Sequence, residues 1–105
     1  MQLDRNLNGN GIGKYALLNV RRMTAKMSPE VQAAIDVLNQ AGILEWGHVG
    51  EQDEFFVMKL KDVNTPSGLI GYAAKAEETD RELATDVRGM LPRAGANSPF
   101  CKRPD

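Results

Sequence analysis

The chain has 105 residues, of which 42% are hydrophobic, with 13 Lys and Arg against 14 Asp and Glu. This length fits a single small domain with a modest core, so assembly as a homo-oligomer is a reasonable expectation. The net charge of −1 argues against nucleic acid and anionic membranes as partners, because clustered Lys and Arg bind both. With no signal-peptide pattern and no apolar run long enough to cross a bilayer, the expected location is the cytoplasm.

The N-terminal third predicts a loop and then a strand. Residues 1–13 hold three glycines and three asparagines, a composition typical of turns. The following segment, Lys14–Arg22, has apolar side chains on both faces of an extended chain, which favours a central strand. We therefore expect one folded domain over residues 14–91, followed by an irregular tail over residues 92–105.

Two segments carry the cap-then-proline pattern of a helix start. Ser28 precedes Pro29, and apolar residues then recur at helical spacing, which predicts a helix from about Pro29 to Ala41. Thr65 precedes Pro66 in the same way, which predicts a second helix from about Pro66.

The C-terminal third predicts a further helical segment and an irregular end. Leu83, Val87 and Met90 recur at helical spacing, and either Thr79 or Asp80 is a suitable cap, so a break is expected after the second helix. Pro92, Gly95 and Pro99 leave the last fourteen residues without periodicity, which predicts an irregular tail with Phe100 as the expected anchor.

The segments Ile43–Val49 and Glu54–Lys61 predict a β-hairpin. A register that places Trp46 opposite Met58 keeps the apolar side chains on one face. Together the elements predict an α+β fold of order β-α-β-β-α. Its three-stranded sheet would join the hairpin to Lys14–Arg22, with the helices packed mainly on one face.

The glycines near the N-terminus suggest a phosphate-binding loop. However, Gly9, Gly11 and Gly13 precede the predicted strand, and Tyr15 follows Lys14 where a P-loop has Ser or Thr. A flexible turn is therefore favoured. Contact between an anion and these backbone amides, together with Lys14, stays open.

A calcium loop is a second possibility for the same segment. Asp4, Asn6, Asn8 and Gly9 match the opening of an EF-hand loop, but Tyr15 stands at the twelfth position, where a bidentate Glu is needed. No helix can precede this segment, so calcium binding is disfavoured.

Catalytic and metal sites are not expected. Cys101 and His48 are the single thiol and imidazole, nothing in the sequence brings them together, and their spacing matches no metal motif. A base-stacking platform could be formed by Trp46, Phe55, Phe56 and Met58, but large side chains on the sheet of a small domain more often form the core.

Two resemblances bear on function. In order of elements, residues 37–62 resemble the last helix and wing of a winged-helix domain, which would imply DNA binding, although the two preceding helices are missing. Across Gly13–Arg22, Asp53–Asp62 and Ser98–Asp105, the chain resembles small uncharacterised accessory proteins of tailed phages and prophages. The phage resemblance implies the cytoplasm of an infected bacterium and an accessory role exerted by binding.

These observations favour a non-enzymatic binding protein without a cofactor. One hypothesis is counter-defence, in which a homo-oligomer sequesters an anionic, nucleotide-like ligand. The alternatives are an inhibitor that docks directly on a host protein and a winged-helix-like DNA-binding module. Glycine amides, a basic side chain, an aromatic ring and two guanidinium groups would form the ligand site, which predicts as binding residues Gly11, Gly13, Lys14, Tyr15, Arg21 and Arg22.

Overall fold

The computed structural model describes residues 1–5 and 9–102. Asn6 and Asn8 of the calcium pattern and Arg103 of the tail lie outside these residues. The described part contains the helices α1 (Val20–Ala25), α2 (Pro29–Gln40), α3 (Thr65–Ala76) and α4 (Arg81–Arg88), followed by 3₁₀ turns at Leu91–Arg93 and Gly95–Asn97.

The chain divides into two compact units. The middle unit is Tyr15–Phe56 and contains α1 and α2. The terminal unit is formed by Met1–Lys14 together with Val57–Asp105 and contains α3 and α4. No helix in the described ranges is long and apolar enough to cross a membrane.

Side-chain caps start both helices of the middle unit. The Asn19 carboxamide oxygen accepts a hydrogen bond from the Arg22 amide at 3.0 Å, and the Ser28 hydroxyl accepts one from the Val31 amide at 3.1 Å. Each cap satisfies one of the amides that have no partner inside the helix. The helix predicted from Ser28 and Pro29 is therefore confirmed, and Ile35 is its buried residue.

The terminal unit is built around a helical hairpin. α3 and α4 pack together, and Ala73 of α3 and Ala84 of α4 are fully buried. Their small side chains let the two helices approach closely. The predicted break between them is confirmed, and Asp80 is the cap because its carboxylate accepts from the Leu83 amide at 3.0 Å. The core is completed by apolar side chains from both helices and the chain that follows: Leu69, Leu83, Val87, Met90 and Ala94.

Backbone hydrogen bonds hold the C-terminal segment in the terminal unit. The Gly95 amide donates to the Leu60 carbonyl at 2.7 Å, and the Lys102 amide donates to the Lys61 carbonyl at 3.0 Å. Phe100 is 74% exposed. The prediction that Phe100 anchors the tail was therefore wrong, because backbone groups and the buried Ala94 and Gly95 supply the anchoring.

The predicted strand at Lys14–Arg22 is wrong. Residues 15–19 have no regular secondary structure, and α1 begins at Val20. The cause is local, because the Asn19 side chain caps the following turn and so favours a helix where the apolar pattern indicated a strand.

The predicted hairpin and the α+β class are also wrong. The described residues contain no β-strand. An isolated parallel β-bridge joins Asp62 and Lys102. Residues 43–48 and 54–59 have no regular secondary structure and form no ladder, so the register that paired Trp46 with Met58 does not exist. Alternation of apolar residues favours extended backbone, but it does not by itself supply the pairing.

Candidate functional site

Half of the predicted ligand residues lie in the terminal unit. Gly11 is exposed and has a φ of +76°, which suits glycine. A Cβ at Gly13 would lie 2.9 Å from the Asp4 carbonyl oxygen, and the Lys14 amide donates to that same oxygen at 3.0 Å. The Lys14 amide therefore closes a turn of the chain.

The other predicted ligand residues lie in the middle unit. Tyr15 is exposed and precedes α1, while Arg21 and Arg22 are exposed residues of that helix. In each unit the three predicted residues are close in sequence, and nothing in the structure tests whether they bind an anion. The anion site over Gly11, Gly13, Lys14, Tyr15, Arg21 and Arg22 stays a prediction.

The 43–56 loop of the middle unit follows α2 and has an ordered turn at its centre. The Glu51 amide donates to the His48 carbonyl at 3.0 Å, and the Glu54 amide donates to the Glu51 carbonyl at 3.1 Å. Gly50 has a φ of +83°, a conformation that a side chain would strain, and its amide donates to the Glu54 carboxylate at 3.2 Å.

Three potential metal ligands converge at this turn. His48 Nδ1 lies 2.7 Å from Asp53 Oδ2 and 3.6 Å from Glu51 Oε2, and the three ligand atoms all lie within 4.8 Å of one another. The hydrogen bond from the His48 ring, and then that from the His48 amide, lower the pKa of Asp53 below its ordinary value. All three side chains are exposed, so solvent reaches the cluster.

The same loop exposes large apolar side chains. Val49 is 90% exposed and Phe56 is 88% exposed, and Ile43 and Phe55 are also exposed. The loop has no Lys or Arg. It carries four carboxylates beside these apolar groups: Glu45, Glu51, Asp53 and Glu54. The surface is therefore both apolar and acidic.

Side chains, and not backbone pairing, hold the two arms of the loop. A Cβ at Gly47 would lie 2.5 Å from the Phe55 ring, so this ring covers the backbone at Gly47. The Trp46 indole donates to Asn39 of α2 at 2.9 Å. Among the described residues, no backbone-to-backbone hydrogen bond is made by residues 44–47 or 55–56.

The sequence signal for this cluster is the spacing H-x-x-E-x-D of His48, Glu51 and Asp53. The expectation of no metal site was based on His48 and Cys101, which is an exposed thiol, and so did not include these two carboxylates. The aromatic residues Phe55 and Phe56 were expected in the core, but both are exposed. Comparison with known proteins adds no relative, since no family model, curated protein or solved structure matches the chain.

Proposed function

We propose that this is a binding protein without catalysis, which docks on another protein through its 43–56 loop. The observation that carries the proposal is the exposure of Ile43, Val49, Phe55 and Phe56 on one short loop. Several large apolar side chains exposed on one short segment indicate an interaction surface, because their burial against a partner is favourable.

The charge of the loop specifies the chemistry of the partner. Its four carboxylates, without a Lys or Arg, are complementary to a basic surface with an apolar centre. Residues 44–47 have no regular secondary structure, and their backbone makes no backbone-to-backbone hydrogen bond within the described chain. An extended segment of the partner is therefore well suited to this loop, since its own main-chain groups supply the complementary donors and acceptors. In view of the phage resemblance, we expect the partner to be a bacterial host protein.

A pair of matched phenylalanine variants tests this proposal. The full-length protein and its Phe56→Ser and Phe100→Ser variants are immobilised, exposed to lysate of the bacterial host, and cross-linked. Both rings are exposed, but Phe100 lies in the terminal unit, outside the proposed surface. We expect one basic protein to be retained by the parent chain and by Phe100→Ser but not by Phe56→Ser.

Affinity measurements with the purified partner then decide the result. Loss of an aromatic anchor at the centre of an interface should weaken binding by at least about tenfold, and added salt should weaken it further. Equal affinity of the Phe56→Ser variant and the parent would contradict the proposal. So would a partner with an acidic contact surface.

The nucleotide hypothesis is tested by the same preparation. A nucleotide present at a hundred times its dissociation constant should stabilise the protein by about 2.7 kcal/mol. A thermal shift with a nucleotide that disappears in Arg21→Ala and Arg22→Ala, without a retained host protein, would replace docking by ligand sequestration. If the protein acts by docking through the 43–56 loop, we expect a retained host protein and no such shift.

A further inference from the structure

We propose that His48, Glu51 and Asp53 form a zinc-binding site at the turn of the 43–56 loop. Both carboxylates approach the same imidazole nitrogen, with Asp53 Oδ2 at 2.7 Å and Glu51 Oε2 at 3.6 Å from His48 Nδ1. If Glu51 and Asp53 were only solvated surface carboxylates, the turn would not need a histidine between them. The inference does not rest on protein docking, so either proposal can fail alone.

The distances fit a small divalent cation. With bonds of about 2.0 to 2.1 Å, the ligand atoms of a tetrahedral zinc site lie about 3.4 Å apart. The separation of 3.6 Å between His48 and Glu51 already suits this geometry. The contact of 2.7 Å between His48 and Asp53 is a hydrogen bond, and it must lengthen by about 0.7 Å as the cation replaces the shared proton.

Backbone contacts fix the orientation of the ligands. Asp53 Oδ1 accepts from the His48 amide at 3.1 Å, which leaves Oδ2 directed at the His48 ring. The Glu51 amide donates to the His48 carbonyl, which brings the two residues to the same side of the turn. Such outer contacts hold ligands in place before the metal arrives.

The donor set identifies the metal class. Imidazole nitrogen with carboxylate oxygen suits zinc and related transition metals, whereas magnesium and calcium prefer oxygen ligands alone. Three protein ligands leave one tetrahedral position of the cation for water or for a group from a partner. The exposure of all three side chains keeps that position accessible.

The test measures zinc binding by the tag-free, full-length chain. A Cys101→Ser background removes the exposed thiol as a competing ligand. Zinc chloride is titrated calorimetrically into this protein, into its His48→Ala and Asp53→Asn variants, and into Glu45→Gln, which removes an exposed carboxylate of the same loop outside the cluster. Magnesium chloride is titrated as the comparison.

We expect one zinc ion per chain in the background protein and in Glu45→Gln, and at least about tenfold weaker binding in His48→Ala and Asp53→Asn. The chain has a single histidine, so zinc should also shift the one set of imidazole NMR signals. Absence of saturable zinc binding would overturn the site. Equal binding by His48→Ala, unshifted imidazole signals, or stronger binding of magnesium than of zinc would do the same.

Discussion

The two units of the chain use their apolar residues in opposite ways. In the terminal unit, α3 and α4 bury a continuous cluster that includes Leu69, Leu83 and Val87. Among the described residues of the middle unit, Ile35 is the one buried hydrophobic residue. Large apolar side chains of this unit, such as Val49 and Phe56, face solvent. The comparison indicates that packing stabilises the terminal unit, whereas caps and side-chain hydrogen bonds order the middle unit. Its large apolar side chains stay exposed to solvent.

The largest effect should come from the same substitution made in each unit. Leu83→Ala removes a buried side chain of α4 and should lower the free energy of unfolding by about 2 to 5 kcal/mol. Leu17→Ala changes a side chain that is 62% exposed and should alter it by less than about 0.5 kcal/mol. Urea unfolding followed by far-UV circular dichroism measures both values. Similar losses would contradict the contrast between the units.

Two glycines of the terminal unit should respond in opposite directions. Gly95 has a φ of +54°, and a Cβ there would lie 2.5 Å from the Pro66 ring, so Gly95→Ala should destabilise the chain by about 2 kcal/mol. Gly71 lies within α3 with open space at its Cβ position, so Gly71→Ala should stabilise it by about 0.5 to 1 kcal/mol. Urea midpoints distinguish the two signs, and a stabilising Gly95→Ala would show that the segment after α4 does not close on Pro66.

A smaller effect concerns the charge of the α4 cap. A hydrogen bond from the Met1 amino group, and then one from the Leu83 amide, lower the pKa of Asp80. Because the pKa is lower in the folded chain, the ionised carboxylate stabilises the fold above its ordinary pKa near 3.8, and this contribution disappears as the pH falls through the lowered value.

The Asp80→Asn variant isolates this contribution, since Asn also caps helices but cannot ionise. The difference in urea midpoint between parent and variant should be present at about pH 6 and shrink below about pH 4. Thr79→Ala serves as the control, because its difference from the parent should not change with pH. A pH-independent difference for Asp80→Asn would contradict the role of the carboxylate charge.

The sequence was sufficient to predict where both proline-started helices begin, because proline acts within one turn of the backbone. Ser28 caps α2 as predicted, but the prediction of Thr65 as a cap was wrong: Thr65 is already part of α3, its hydroxyl donates to the Lys59 carbonyl, and the cap position Asn64 makes no side-chain hydrogen bond. Strand pairing failed because it depends on residues far apart in the sequence. In the 43–56 loop, the alternating pattern predicted two paired strands, but it could not show that the Phe55 ring would cover Gly47 in place of a paired strand.

The candidate site was less predictable for the same reason. Glu51 and Asp53 were assigned to a hairpin loop, and only the hydrogen bonds of the turn bring their carboxylates to His48. Phe55 and Phe56 were placed in the core because a small domain needs large buried side chains. α3 and α4 meet that need in the terminal unit with leucine, valine and alanine, which leaves the two rings exposed.

The smallest expected effect is the most direct test of what the exposed rings do. If Phe56 contributed to folding, Phe56→Ser would destabilise the chain as a core substitution does. Because this ring is 88% exposed, we expect a change of less than about 0.5 kcal/mol, similar to that of Phe100→Ser in the terminal unit. Urea unfolding followed by Trp46 fluorescence reports on the middle unit, since Trp46 is the single tryptophan. Unchanged stability together with lost capture of a partner would assign Phe56 to binding, because a substitution that leaves the fold intact can abolish docking only by removing a contact. A loss of several kcal/mol would instead make the ring part of the fold and remove the main support for the docking surface.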